Sequence, residues 1–136
     1  MIEDIFFEKQ FIINNEKYIF IIENDNLHKI IHSKIQNEFN ESICYIKEIE
    51  LDHISKTILI WGLFTIEKYR NLKMATFILN NLYDFLKQNY INYDLELYCL
   101  ETNEVGLKLY RNLQFKEGKD LYSNRTKSIK FIKKII

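Results

Sequence analysis

The sequence predicts a mixed α/β or α+β fold, in which helices cover both faces of a mostly antiparallel sheet. Runs rich in β-branched and aromatic residues recur along the chain, as is typical of strands. Between them lie segments whose apolar residues recur every three or four positions, as is typical of helices. The length of 136 residues and the 47% of hydrophobic residues fit one packed domain, which we expect to span residues 1–136.

The first elements are a predicted hairpin and a predicted helix. Residues 5–13 and 17–23 are β-rich and flank Asn14-Asn15, a pair that tolerates positive φ and suits a tight turn. The next segment, residues 26–39, begins with an asparagine that can cap a helix and continues with apolar residues at helical spacing. We therefore expect two strands followed by a helix that packs by one face.

The central elements are predicted from changes in hydrophobic period. Residues 43–51 and 57–65 flank the polar turn 52–56 and read as an antiparallel pair, whose second strand is apolar enough to be covered on both faces. Steps of three or four between apolar residues predict a helix over 72–89. Strict alternation then predicts a strand over 93–100.

The last elements complete the order ββαββαβαββ. A helix is predicted over 103–112, and closing strands over 115–117 and 128–135 flank a polar loop at Ser123-Asn124. The apolar run at residues 128–136 could pair with the edge of another subunit and so form a homodimer.

Charge and composition disfavour several classes of protein. Lys+Arg and Asp+Glu both number 19, so no global basic field favours nucleic acid or an anionic membrane as a partner. Cys44 and Cys99 are too few for a disulfide scaffold, and the three histidines lack the spacing of a metal site. The first residues lack a signal-peptide pattern, and the longest nearly apolar run, residues 57–66, is too short to span a bilayer. We expect a cytoplasmic protein with reduced thiols and no bound metal.

A first candidate site lies in the segment LFTIEKYRNLKMAT, residues 63–76. A buried strand that leads into a helix presents the free N–H groups and the positive dipole end of that helix at the sheet edge, where they can bind phosphate. Arg70, one of three arginines, lies at this turn, and Ala75, the single alanine, lies in the first helical turns. Both residues also fit purely structural roles, in which Arg70 is a solvated surface residue and Ala75 forms a close contact between helix and sheet.

A second candidate site lies in the segment LYCLETNEVGLKLYRNLQF, residues 97–115. Gly106 lies inside a predicted helix, where glycine costs about 1 kcal/mol relative to alanine. Asn103 stands at the N-cap, and Tyr110 lies one turn beyond Gly106 on the same side. Taken singly, each of these residues also fits a structural role.

Together the two segments resemble the GNAT superfamily of acetyl-CoA-dependent N-acetyltransferases. The pyrophosphate segment of that family reads Q/R-x-x-G-x-G/A, often after an aromatic residue, and here Tyr69-Arg70 and Ala75 fill its first and last positions. The later family segment reads L-x-V, then N-x-x-A-x-x-x-Y, then L-G-F. The residues at the matching spacing are Leu97, Cys99, Asn103, Gly106, Tyr110, Leu113 and Phe115. The resemblance covers about residues 57–117.

The chain departs from the family pattern at several glycine positions. Lys73 occupies the middle glycine of the first segment, and Asn71 another position that is commonly glycine. The Lys73 side chain either points outward or meets a CoA phosphate. Gln114 replaces the glycine that usually ends the second helix, at a cost of up to about 1 kcal/mol. The two acceptor-side helices of the family do not map onto the single helix predicted before residue 57.

The resemblance implies that the pantetheine arm of acetyl-CoA lies between two splayed parallel strands, residues 57–65 and 93–100, with Gly62 suited to a bulge. It implies direct attack of an amine on the thioester in a ternary complex. Backbone N–H groups near Leu63 and Phe64 would polarise the carbonyl, and Tyr110 would protonate the thiolate.

The general base is left open by the sequence. No carboxylate lies within residues 57–65, so Glu48, Glu50, His53 and a water chain all remain candidates.

The resemblance thus implies an N-acetyltransferase that acts on a primary amine of unknown class. Its implied acetyl-CoA-binding residues are Leu63, Phe64, Thr65, Arg70, Asn71, Leu72, Lys73, Met74, Ala75, Thr76, Asn103, Gly106 and Tyr110, of which Tyr110 is also catalytic. The replaced glycines motivate an alternative, a catalytically silent module of the same fold that binds acyl-CoA or another protein.

Overall fold

One eight-stranded sheet organises the chain in a computed structural model that describes residues 6–25 and 30–136. The strands are β1 (Phe6–Ile13), β2 (Glu16–Asp25), β3 (Ile30–Asn37), β4 (Ser42–Asp52), β5 (Thr57–Thr65), β6 (Asp94–Leu100), β7 (Lys116–Ser123) and β8 (Thr126–Lys134). The helices are a 3₁₀ helix (Glu67–Leu72), α1 (Met74–Leu86) and α2 (Glu104–Asn112). The spatial order of the strands is β1-β2-β3-β4-β5-β6-β8-β7. All neighbours are antiparallel except β5 and β6.

Most of the predicted elements are confirmed. The β1–β2 hairpin turns at Asn14 and Asn15, whose φ angles of 51° and 65° are in the region that asparagine tolerates. The predicted pair 43–51 and 57–65 corresponds to the antiparallel strands β4 and β5. The helices predicted after them are α1 and α2, and the strand between these helices is β6.

The helix predicted over 26–39 is wrong. Residues Ile30–Asn37 form β3, which pairs with β2 on one side and β4 on the other, and residues 26–29 lie outside the described part of the chain. Ile31 and Ile35 are four positions apart, and this spacing places two side chains on one face of either a helix or a strand. The burial of Ser33 between them shows the strand period of two.

α1 packs on one face of the sheet, which we call the helical face. Leu82 and Leu86 of α1 lie against Ile22, Ile31 and Ile49, which belong to three successive strands. All five side chains are buried, so the contact forms the main apolar core of the protein.

α2 lies on the same helical face. The pairing register continues this face from Ile49 across the sheet to Ile60, Leu97 and Phe131. The ring of Tyr110 in α2 lies 5.4 Å from the ring of Phe131, centroid to centroid. Both crossovers, β5-α1-β6 and β6-α2-β7, therefore run over one face.

The opposite face, which we call the open face, carries Glu48, Trp61, Tyr98 and Lys130 in a row across β4, β5, β6 and β8. The predicted mixed, mostly antiparallel sheet is confirmed. It differs in one respect: within residues 6–25 and 30–136, both α-helices lie on the helical face. The segment expected to supply another helix is the strand β3.

The carboxyl-terminal strand lies inside the sheet. β8 pairs with β6 on one side and β7 on the other, and Ile135 after it is fully buried. Both edges of β8 are occupied within the chain, so the prediction that this segment offers an edge to another subunit is wrong. Of the described residues, no helix is long and apolar enough to cross a membrane.

The buried thiol of Cys44 should make stability fall at alkaline pH. Burial raises its pKa from 9.0 to about 11, against a smaller opposing effect of the Thr65 hydroxyl that donates to its sulfur. A pKa raised by folding gives stability that is complete below the unfolded value and is lost as the pH rises through the folded one. Urea denaturation should show wild type losing about 1–2 kcal/mol more than Cys44→Ala between about pH 8 and pH 10.5. Equal losses in both proteins would contradict this assignment.

Candidate functional site

The parallel pair β5 and β6 opens into a cleft. The two strands pair from Thr57 to Ile60 and from Asp94 to Leu97, and the ladder stops there although both strands continue. A cleft of about 240 Å³ lies at this separation. It is lined by Ile60, Gly62, Leu63, Leu97, Tyr98, Cys99, Leu100, Asn103 and Tyr110. Three residues from the predicted site, Leu63, Asn103 and Tyr110, are thus brought together.

Gly62 is the residue at which β5 departs from regular geometry. Its φ of 70° is positive, and a Cβ there would lie 2.8 Å from Cβ of Lys47 on β4. Ile60 and Leu63 both pair with buried isoleucines of β4, so the alternation of side chains skips one position between them. β4 shows a register shift against β3 at the same level. The irregularity predicted at Gly62 is therefore shared by two strands, and it bends β5 away from β6.

The backbone beyond Gly62 presents polar groups toward the cleft. The Ile66 N–H donates to the Ile43 carbonyl of β4 at 2.8 Å, so by strand alternation the groups of Leu63 and Thr65 point away from β4. Consistent with this, the Thr65 carbonyl accepts a hydrogen bond from Arg70 Nε at 3.0 Å. The same alternation directs the Phe64 N–H toward β4, so of the two predicted donors only Leu63 faces the cleft.

The first three N–H groups of α1 have no hydrogen-bond partner within the helix. The first α1 N–H to bond within the helix is that of Phe77, which donates to the Lys73 carbonyl at 3.1 Å. The N–H groups of Met74, Ala75 and Thr76 precede it and have no partner within the helix. These groups and the positive dipole end form a site suited to a phosphate.

Of the two residues at glycine positions of the first family segment, Lys73 and Asn71, only Lys73 has a left-handed backbone. Lys73 is left-handed, with φ 57° and ψ 34°, and its exposed side chain does not cap the helix. Asn71 is also exposed, and Leu72 is half-buried. Neither polar side chain is buried over the start of α1.

Arg70 is held beside this helix start by two contacts. Besides the bond to the Thr65 carbonyl, its guanidinium carbon lies 5.5 Å from the centre of the exposed Phe64 ring. Cation–π contact and hydrogen bond together orient the side chain three residues before the Lys73 cap. Its terminal nitrogens make no hydrogen bond within residues 6–25 and 30–136.

The first turn of α2 packs closely against β6. The Asn103 side chain accepts a hydrogen bond from the Gly106 N–H at 3.0 Å, which confirms the predicted cap. A Cβ on Gly106 would lie 2.6 Å from Asn103 Nδ2 and 2.9 Å from Cys99 Sγ. Packing of α2 on β6 thus accounts for this glycine without a ligand, and Gly106 does not line the cleft.

Tyr110 presents a neutral hydroxyl group to the cleft. Its side chain is 8% exposed, and its ring packs on Phe131 and on Phe115, with centroids 5.4 and 6.0 Å away. Burial, with a smaller contribution from Cys99, raises the pKa of the hydroxyl to about 12. The hydroxyl makes no hydrogen bond to another described residue. It is therefore free to donate its proton to a group bound in the cleft.

The structure separates the candidates for the base. His53 lies in the β4–β5 turn, where Nδ1 is 2.8 Å from the Tyr93 hydroxyl, at the end of β5 remote from the cleft. Glu50 pairs with Leu59, before the strands separate. Glu48 pairs with Trp61 at the level where the cleft begins.

Two aromatic residues near the cleft were not predicted from the sequence: Tyr98 lines the cleft, and Trp61 stacks on Tyr98. Trp61 and Tyr98 directly follow the last paired residues of β5 and β6, and their rings stack with centroids 6.0 Å apart. Trp61 is the only tryptophan of the chain and is 41% exposed. The signal available in the sequence was Trp61 itself, because it is the single tryptophan and directly follows a buried strand position.

Comparison with known proteins places the fold. No family model and no curated protein matches the sequence. The ribosomal-protein-S18-alanine N-acetyltransferase of Escherichia coli aligns with a TM-score of 0.67 at 14% identity, over 78% of this chain and 69% of that one. NAA60 of Arabidopsis thaliana in complex with acetyl-CoA aligns with a TM-score of 0.65 at 18% identity, over 78% and 76%.

Mutant forms of the spermidine/spermine N-acetyltransferase SpeG of Vibrio cholerae align with a TM-score of 0.64 at 13% identity, over 76% of this chain and 66% of that one. At such low identities, these structural alignments establish a shared fold. The chain has the fold of the GNAT N-acetyltransferases, as the sequence predicted.

Replacing Lys73 by glycine should stabilise the protein. A left-handed conformation costs a residue with a Cβ about 1–2 kcal/mol, and glycine avoids this cost. Part of the resulting gain in stability is offset because glycine has greater conformational freedom in the unfolded chain. We expect Lys73→Gly to raise the free energy of unfolding by about 0.5–1 kcal/mol in urea denaturation.

Lys87→Gly is the matched control. Lys87 is also an exposed lysine at an end of α1, but its φ of −60° is ordinary. That substitution should lower the free energy of unfolding by about 0.5–1 kcal/mol. A loss of stability in both variants would show that the left-handed conformation of Lys73 costs nothing.

Proposed function

We propose that this protein transfers acetyl from acetyl-CoA to a primary amine. The observation that carries the proposal is the cleft between β5 and β6, with the Tyr110 hydroxyl on its helical-face side. The free N–H groups at the start of α1 support it, since α1 packs on the same face. A strand-like pantetheine arm and an anionic pyrophosphate would satisfy these two sets of polar groups.

The residues present fit acetyl-CoA. The Leu63 and Thr65 backbone groups face the cleft, where β6 no longer pairs with them. Arg70 adds a positive charge beside the start of α1. The exposed side chains of Lys73 and Asn71 leave the helix start accessible, so the missing glycines do not exclude a phosphate there.

Acetyl-CoA would supply a thioester whose acetyl carbon exchanges its C–S bond for a C–N bond to the amine. The Leu63 N–H faces the region where it would donate to the carbonyl oxygen. Tyr110 would donate its proton to the departing sulfur and regain one from water. The proton lost by the amine passes to solvent, so charge and atoms balance.

The raised pKa of Tyr110 defines how it acts. With a pKa of about 12 the phenol is fully protonated at neutral pH. It is a weaker acid than a free phenol, so its contribution is a hydrogen bond that strengthens as negative charge develops on sulfur, followed by proton transfer.

A catalytically silent acyl-CoA-binding module is the second candidate, favoured by the lysine at a family glycine position. Calorimetric titration with acetyl-CoA detects both candidates. Release of free CoA in the presence of a panel of amines is expected only of the enzyme.

Substitution Arg70→Ala should weaken acetyl-CoA binding at least several-fold in isothermal titration, because a charge beside the phosphate site is lost. Arg111→Ala is the control, since Arg111 lies in the last turn of α2 and pairs with Glu117 at 2.7 Å. The affinity of this variant for acetyl-CoA should be unchanged. Equal affinities of both variants and wild type would count against the pyrophosphate assignment.

Substitution Tyr110→Phe should lower kcat by roughly ten- to a thousand-fold and leave acetyl-CoA affinity nearly unchanged, because only the hydroxyl is removed. In wild type, deprotonation of the Tyr110 hydroxyl should not reduce kcat up to about pH 10, since this hydroxyl has a pKa of about 12. Full turnover by the variant would show that the thiolate leaves without this residue.

A further inference from the structure

The open face carries a row of aromatic and charged side chains at the level where the cleft begins. Register places Glu48 beside Trp61, and Tyr98 beside Lys130. The rings of Trp61 and Tyr98 join the two pairs, stacked at 6.0 Å with an interplanar angle of 23°. The row therefore crosses the sheet just beyond the last rung of the β5–β6 ladder.

Charges in this row are unevenly matched. Lys130 Nζ forms an ion pair with Glu96 Oε1 at 3.0 Å, which compensates its charge. The Glu48 carboxylate forms no ion pair and accepts no hydrogen bond from other described residues. Lys47, the next residue of β4, packs its stem against Gly62 instead. A half-buried carboxylate thus lies beside an exposed aromatic ring, and it has no ion-pair partner among the described residues.

The cleft is lined by residues of both faces of the sheet. Tyr110 lines it from the helical face, and Tyr98 lines it from the open face. The helix start that would hold the pyrophosphate lies on the helical side. An attacking amine would therefore approach the acetyl carbon from the open face, past Trp61 and Tyr98.

From this arrangement we propose that the open face binds the acceptor as an unbranched primary alkylammonium ion, with its charge between the Glu48 carboxylate and the Trp61–Tyr98 rings. The inference rests on the proposed function and names the acceptor class. A carboxylate and aromatic faces attract an ammonium group, and the rings also pack against an alkyl chain. A neutral alcohol of the same shape gains only the packing.

Trp61, the only tryptophan of the chain, reports on this site directly. Titration with n-butylamine near pH 7 should change the Trp61 emission saturably, and n-butanol should do so at least several-fold more weakly. Glu48→Gln should weaken the butylamine response about five-fold or more, while leaving the acetyl-CoA affinity of the protein unchanged. Tyr98→Leu, which removes the second ring, should weaken it as well.

Glu50→Gln is the matched control. Glu50 lies two residues along the same strand, beside Leu59, where β5 and β6 are still paired. Its substitution should leave the butylamine response at the wild-type value. Equal responses to amine and alcohol, or equal behaviour of the two glutamine variants, would overturn the proposal.

Turnover separates this inference from the proposed function. With a lysine-containing peptide or with spermidine as acceptor, Glu48→Gln should raise KM at least several-fold more than Glu50→Gln does. A preference for the peptide or for spermidine supports the alkylammonium site and shows which of the two compounds supplies the ammonium group. A wild-type KM in an active Glu48→Gln enzyme would overturn the acceptor site alone. Absence of acetyl-CoA binding by wild type would instead overturn the proposed function.

Discussion

The early end of the β5–β6 ladder is the constraint on which the candidate site depends. A parallel pair that continued past Ile60 and Leu97 would use the backbone groups of Leu63 and Thr65 within the sheet, and no cleft would remain. This continuation ends at Gly62, whose positive φ bends β5 and whose site next to Lys47 leaves no room for a Cβ. The cost is a set of strand groups without a strand partner, and a pantetheine-like chain is suited to pair with them.

Left-handed backbone positions are occupied here mainly by residues other than glycine. Among the described residues nine non-glycine residues have positive φ, and five of them are asparagines, which tolerate this conformation best. Lys73 and Gln114 stand at positions where the resembling family has glycine, and both have positive φ. Both residues thus adopt a left-handed backbone without the glycine that the family motif carries there. This is consistent with a structural match in the absence of any matching family model.

The one-sided arrangement of helices gives the sheet two faces with different side chains. α1 and α2 bring the N–H groups of the first turn of α1 and the Tyr110 side chain to the helical face. On the open face, Trp61 and Tyr98 remain accessible beside a carboxylate that has no counter-ion among the described residues. The cleft is the point at which these faces meet. Under the proposed function, an acyl donor and an amine acceptor would approach one another from different faces of the sheet.

The sequence alone determined the features that depend on nearby residues. The hairpin turn at Asn14-Asn15, the periods of α1 and α2, and the Asn103 cap all involve groups a few residues apart, so local patterns predict them. Tertiary structure decided the rest, because partners distant in the chain choose between local alternatives. β3 is a strand since β2 and β4 satisfy its hydrogen bonds, although its apolar spacing of four also fits a helix. Only the pairing of β4 with β5 shows that Glu48 lies at the level where the cleft begins, while His53 lies far from it.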